Sequence, residues 1–294
     1  MTKSPTGIIP ALITPFGKDY ALNTKGLRDL IRFVLKAKVH GIFVSGNAGE
    51  FYALSFDEKK KIFEIAVEEV AGQIPVYAGT GAISTEETIR LTEMAASVGV
   101  DAASIITPFF ISLKETEVLE HYRLIARKSR IPIVVYNNPA LTKINVSVNL
   151  ALELSKIDKI VGIKESSGDM TLTTEIIRNA GPAFAVLAGR DTLIYSTLTH
   201  GGSGAISSCA NVTPEIAVRI YENYKKGDHE NALKAQNEFA PLRIAFGLGS
   251  FPVVIKEALE LLGIAAGPAR LPIATLSEDK REQLRGVLKT MGVI

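Results

Sequence analysis

The chain has 294 residues, with 33 Lys plus Arg against 31 Asp plus Glu, a formal charge of +2 at pH 7 and 47% apolar residues. That length suits one large α/β domain or two small ones, and the apolar content is ample for a core. Near-balanced charge, no basic block and no Trp give no argument for nucleic acid or an anionic membrane as partner; Cys209, the single cysteine, excludes an intrachain disulfide framework and fits a reducing compartment.

The opening stretch Met1–Gly7 has no long apolar segment of signal type, and no apolar run reaches spanning length, so a soluble cytoplasmic protein without a membrane partner is expected. Short β-type runs then recur, beginning near Ile8, Ile42, Ile74, Ala102, Ile131, Ile160, Phe184 and Gly204. Their spacing of about 20 to 34 residues is that of a βα unit. Between them lie helical stripes such as Leu27, Leu30, Ile31, Val34 and Leu35, or Ile62, Phe63, Ala66, Val67 and Val70. Ser55-Phe56-Asp57-Glu58 and Ser84-Thr85-Glu86-Glu87 both match the capping box, in which hydroxyl and carboxylate satisfy orphan backbone donors. Runs such as Ile131-Pro132-Ile133-Val134-Val135-Tyr136 are continuously apolar, as parallel strands covered on both faces require. Pro75 and Pro132 stand near strand starts, where a missing donor is tolerated, whereas Pro10 lies deeper and weakens the first strand.

Past Ser207, helices are predicted over Ile216–Tyr224, Ala232–Ile244, Val253–Leu262 and Glu278–Leu288. The expected architecture is a (β/α)8 barrel over residues 1–210, with residues 211–294 as a C-terminal helical extension packed on it. An open doubly wound sheet is the runner-up, but the first strand ends in Ile13-Thr14-Pro15-Phe16, without the Gly-rich fingerprint usual there.

In such a barrel the C-terminal ends of the strands are where chemistry is placed. The sixth run, Ile160-Val161-Gly162-Ile163, delivers Lys164 at its end, followed by Glu165-Ser166-Ser167-Gly168-Asp169. A lysine where a buried strand opens into a loop loses solvation, which frees its amine as a nucleophile toward a carbonyl. Tyr136 ends the neighbouring strand, so a phenol able to pass protons stands beside it. The Gly46-Asn47-Ala48-Gly49 turn offers backbone N–H groups that could bind a carboxylate, as a 2-oxo acid demands. His40, His121, His200 and His229 are scattered without ligand spacing and read as surface or packing residues, so no metal site is expected.

Thr14-Pro15-Phe16, Gly46-Asn47-Ala48-Gly49-Glu50, Ala78-Gly79-Thr80-Gly81-Ala82, Tyr136-Asn137-Asn138-Pro139 and Gly162-Ile163-Lys164-Glu165 with Gly168-Asp169, in this order from about Ile8 to Leu262, resemble the dihydrodipicolinate synthase and N-acetylneuraminate lyase family of class I lyases. The resemblance implies that Lys164 forms an imine with the keto carbon of pyruvate or a related 2-oxo acid, that Tyr136 shuttles protons, and that Asn47 and Ala48 bind the carboxylate. It further implies substrate contacts from Ser166, Gly189, Asp191, Ile206 and Ser208, a segment Phe246–Pro252 over the site mouth, no metal or organic cofactor, and a homo-oligomer built as a dimer of dimers.

The departures bear on the substrate. Asn47 and Ala48 stand where the synthase branch has two threonines, and Phe110 where it has a tyrosine contributed across a subunit interface; neither an amide nor a phenyl ring readily passes a proton. Leu141 replaces an arginine that pairs with the second substrate's carboxylate. Thr192 replaces a glutamate of the neuraminate branch, while Asp191 retains a carboxylate for hydroxyl groups. The sequence therefore points to an aldolase that cleaves a 2-keto-3-deoxy sugar acid to pyruvate and an aldehyde. A dehydratase of a similar acid, the synthase or neuraminate lyase activities and a silent keto-acid-binding barrel are the alternatives.

Overall fold

The computed structural model describes residues 4–294; Met1–Lys3, the start of the opening stretch, lie outside the described residues. Among the described residues the strands are β1 (Gly7–Pro10), β2 (Ile42–Val44), β3 (Val76–Gly79), β4 (Ala102–Ile106), β5 (Ile133–Asn137), β6 (Ile160–Glu165), β7 (Ala185–Ala188) and β8 (Gly204–Ser207). They run in the order β1-β8-β7-β6-β5-β4-β3-β2. Every pairing is parallel, including β1 with β8, and a parallel bridge from Ala11 to Phe43 joins β1 to β2. The circle closes, so the expected (β/α)8 barrel is present and an open sheet is excluded.

The helices are α1 (Thr24–Lys36), α2 (Phe56–Val70), α3 (Thr85–Val98), α4 (Glu115–Lys128), α5 (Pro139–Thr142), α6 (Val148–Ser155), α7 (Met170–Ala180), α8 (Ile194–Thr199), α9 (Pro214–Lys225), α10 (His229–Ile244), α11 (Val253–Leu261) and α12 (Glu278–Thr290). The α1 stripe is buried at Leu27, Leu30, Ile31 and Val34, each such side chain contributing roughly 1.5–3 kcal/mol by leaving water. No single helix among the described residues is long and apolar enough to cross a membrane.

Three details refine the sequence expectations. The third and fifth strands begin after their prolines, because proline has no N–H for the ladder. The Pro75 and Pro132 carbonyls still accept from Ile42 and Ala103 on neighbouring strands, at 3.0 and 2.9 Å. Pro10 is the last residue of β1, so its missing donor interrupts nothing further along. Ser55 and Glu58 form the reciprocal capping box at α2. At α3 only half of it forms: Ser84 accepts from the Glu87 amide, but the Glu87 carboxylate is drawn to Arg90 at 2.9 and 3.0 Å.

Candidate functional site

The barrel's register sets Tyr136 directly opposite Lys164 on adjacent strands. Both point inward, are 5% and 3% exposed, and the Lys164 Nζ lies 4.1 Å from the Tyr136 ring centroid and 5.4 Å from that of Phe43. Tyr136 Oη accepts from Asn138 Nδ2 at 3.0 Å. Strand alternation turns the next residue, Glu165, outward. Its buried carboxylate accepts from Asn137 Nδ2 at 3.0 Å, the Ser167 amide at 2.8 Å and Thr173 Oγ1 at 3.1 Å, which ties β5, the turn after the lysine and α7 together. Lys164 is thus presented from a strand end whose backbone is fixed on both sides.

The Gly46–Gly49 turn sits between two non-glycine residues in the left-handed region, Ser45 at φ 55° and Glu50 at φ 54°. It is closed by Glu50 N–H to the Asn47 carbonyl at 3.1 Å and Phe51 N–H to the Gly46 carbonyl at 3.2 Å, and Thr14 Oγ1 donates to the Gly49 carbonyl at 2.7 Å. No backbone carbonyl among the described residues accepts from the amides of Asn47 or Ala48. Those donors are free for an anion.

Between the turn and the lysine lies a cavity of about 330 Å³, whose walls include Asn47, Ala48, Tyr136, Lys164, Ser166, Gly189, Asp191 and Ser208. The fold therefore brings eight of the nine sequence-predicted site residues to one space. Ile206 is the exception: it is 1% exposed inside β8 and does not line the cavity, which is reached instead by Ser208, the residue just past the strand end. Gly189 serves by having no side chain, since a Cβ there would stand 1.8 Å from Ser166 Oγ. That hydroxyl is buried and has no hydrogen-bond partner among the described residues. Asp191 is less available than its composition suggested. Its Oδ1 accepts from Ser207 Oγ at 2.5 Å and the Cys209 amide at 3.3 Å, leaving Oδ2, which faces Arg243 Nε at 3.7 Å, as the oxygen that can meet a ligand. Burial and the Asp191 charge push the Cys209 thiol up, so it is an inert packing group.

Phe110 and Thr192 do not reach the cavity, whereas Leu141 lies on its wall and is 54% exposed. Phe110 is 94% exposed, in the left-handed region at φ 72°.

Residues 4–291 match the family described as "Dihydrodipicolinate synthetase family". The chain belongs to that family. It is similar to the 4-hydroxy-tetrahydrodipicolinate synthase of Methanoculleus marisnigri, 43% identical over 289 residues, 97% of this chain and 99% of that one. It is also similar to the crystal structure of dihydrodipicolinate synthase from Aquifex aeolicus, with 33% identity, a TM-score of 0.94 and 98% of each chain covered. YagE, a prophage protein of the same family from E. coli K12 solved with pyruvate, gives 31% identity and a TM-score of 0.95 over 98% of this chain and 99% of that one. Membership makes the chain an enzyme of the class I, Schiff-base type of lyase.

Asn138, Arg190 and Arg243, to which no role was assigned from the sequence, also line the cavity. Asn138 was legible in principle, because a strand-end amide two residues past Tyr136 can reach back to its hydroxyl. Arg190 donates to the Ser166 and Ser167 carbonyls at 3.0 and 3.4 Å and so braces the turn after the lysine. Arg243 arrives from the last turn of α10 and stacks 4.9 Å over Phe246. From the segment Phe246–Pro252, Phe246, Gly247 and Phe251 line the cavity.

Proposed function

We propose that this family member is a class I aldolase that reversibly cleaves a 2-keto-3-deoxy sugar acid to pyruvate and an aldehyde. The observation that carries the reading is the Lys164–Tyr136 pair on a cavity whose remaining wall offers hydroxyl-binding groups, while the three positions that would serve synthase chemistry are Ala48, Phe110 and Leu141. The Lys164 amine adds to the C2 carbonyl, and the carbinolamine loses water to give the imine. The Tyr136 oxygen, having given its proton to the water lost in imine formation, takes the proton of the C4 hydroxyl; the C3–C4 bond breaks, its electron pair enters the imine to form an enamine, and the aldehyde leaves. Protonation of the enamine and hydrolysis return pyruvate and the free lysine.

The amides of Asn47 and Ala48 bind the carboxylate, Asn138 steadies the Tyr136 oxygen by donating to it, and Ser166, Ser208 and Asp191 Oδ2 take the sugar hydroxyls. The same imine could instead lose water in a dehydratase variant, which would leave an intact semialdehyde acid. Phe110, a phenyl ring almost wholly in solvent on one protomer, supports a homo-oligomer in which that ring meets a second copy. A cytoplasmic, reducing setting fits the lone buried Cys209.

Two observations favour a second reading, the synthase activity itself. The Methanoculleus relative carries that name, and Arg243 brings a guanidinium to the cavity that could receive a second carboxylate in place of the arginine absent at Leu141. Steady-state assays separate the two: the aldolase reading predicts pyruvate release from a panel of 2-keto-3-deoxy sugar acids, at least a hundredfold (about 3 kcal/mol) better in kcat/KM than condensation of pyruvate with aspartate semialdehyde. The reverse preference would establish the synthase.

A further inference from the structure

Outside the cavity, the most unusual group in the molecule is a buried ion pair. Glu50, the residue that ends the Gly46–Gly49 turn, is 0% exposed and Lys256, on α11, is 1% exposed; Lys256 Nζ stands 2.6 Å from Glu50 Oε1. Among the described residues that oxygen has no partner besides the ammonium. The other oxygen, Oε2, accepts from the Arg270 amide at 2.8 Å. Lys256 Nζ also donates to the Pro268 carbonyl at 2.8 Å, and the Lys256 ammonium and Arg270 guanidinium each lie 4.3 Å from the Phe16 ring centroid. Arg270 is anchored in turn by Glu58 and by the carbonyls of Ala53 and Tyr20. Burial pushes the Lys256 ammonium down to about 8, with Glu50 opposing the fall.

Two costs are concentrated here. A left-handed non-glycine residue costs roughly 1–2 kcal/mol, and an ion pair taken out of water returns its desolvation only when its geometry is good. Such costs persist where the surroundings hold the residue in place for a purpose. The Glu50 backbone is the closing member of the turn: its N–H donates to the Asn47 carbonyl, and its own carbonyl accepts from Ala53. A shift of the Glu50 side chain would be passed directly to the amides of Asn47 and Ala48.

We infer that Lys256 and Glu50 are positioning residues, through which helix α11 of the C-terminal extension holds the Asn47–Ala48 amides at the spacing a keto-acid carboxylate requires. The inference rests on the proposed role of that turn as the carboxylate site. It assigns to the C-terminal extension a part in binding pyruvate, although α11 contributes no residue to the cavity wall.

The test uses the full chain and pyruvate as probe, with imine trapped by borohydride across a range of pyruvate concentrations in the unaltered protein, in Glu50→Gln, in Lys256→Met and in the double variant. Thermal unfolding and near-UV circular dichroism identify the variants that fold. The half-saturating pyruvate concentration should rise roughly tenfold to a hundredfold, while maximal labelling at saturation stays near that of the unaltered protein. Lys256→Met leaves a buried carboxylate unpaired and is the variant most prone to unfold. The double variant restores a neutral, packed pair, so stability should return while pyruvate half-saturation does not. A folded Glu50→Gln or double variant with the half-saturation of the unaltered protein overturns the inference and leaves the pair a structural tie. Absence of labelling in the unaltered protein contradicts the imine reading itself, and the positioning role falls with it.

Discussion

At the scale of single residues, two side chains carry the proposed reaction and the rest of the wall selects for it. Lys164 and Tyr136 were legible in the sequence because each closes an apolar run, and strand ends of a parallel barrel share one rim. Asp191 was legible as a carboxylate near the site, but not its occupation by Ser207 and the Cys209 amide, which depends on how β8 ends. Arg243 left no local signal, since an arginine in a last helical turn usually answers the helix dipole and only tertiary packing brings this one to the cavity. Tyr136→Phe keeps the ring beside Lys164 Nζ but removes the proton carrier, and kcat for cleavage should fall by about 10²–10⁴. Stopped-time product assays measure this, and a kcat within a fewfold of the unaltered enzyme would remove Tyr136 from the proton path.

At the scale of elements, periodicity and proline placement foretold all eight strands to within a few residues and the four helices after β8. The short α5 and the helix α6 were harder to read, because the intervening Thr142-Lys143-Ile144-Asn145-Val146 breaks the helical period; its shape comes from Thr142 and Asn137 hydrogen bonds to backbone at Ile144 and Val146. His121 shows another element-scale consequence. It was read as a surface or packing residue, and it is buried at the α3–α4 contact, with Nδ1 2.9 Å from Thr85 Oγ1 and Nε2 without a hydrogen-bond partner among the described residues. Burial pushes its imidazole down to about 4. Between that value and the ordinary histidine range near 6.5 the unfolded chain takes a proton that the folded chain refuses, so stability is full above the upper value and falls as pH drops through the window. The loss is on the order of 3 kcal/mol. Denaturant midpoints from pH 7 to 4 should show this slope, and His121→Gln should flatten it; an equal slope in both proteins would rule the imidazole out. A further loss belongs below about pH 4.5, where the Glu58 carboxylate, held at about 2 by Arg270, begins to protonate in the unfolded chain but not the folded one.

At the scale of the whole molecule, the closed barrel explains why residues from Asn47 to Phe251 meet in one cavity, and why an extension beyond β8 is close enough to matter to it. The ring of Phe110 is the feature a single protomer leaves unresolved in energetic terms, being a large apolar group in water in a left-handed backbone. If a second copy covers it, Phe110→Asp should lower the mass measured by light scattering after size exclusion, whereas an unchanged mass would place the interface elsewhere. The central claim concerns Lys164, and incubation with pyruvate followed by borohydride reduction and peptide mass spectrometry tests it most directly. The account predicts a pyruvate-derived adduct on the peptide carrying Lys164, absent in Lys164→Arg. A protein that binds pyruvate without any reducible adduct, or one labelled at another lysine, would contradict it.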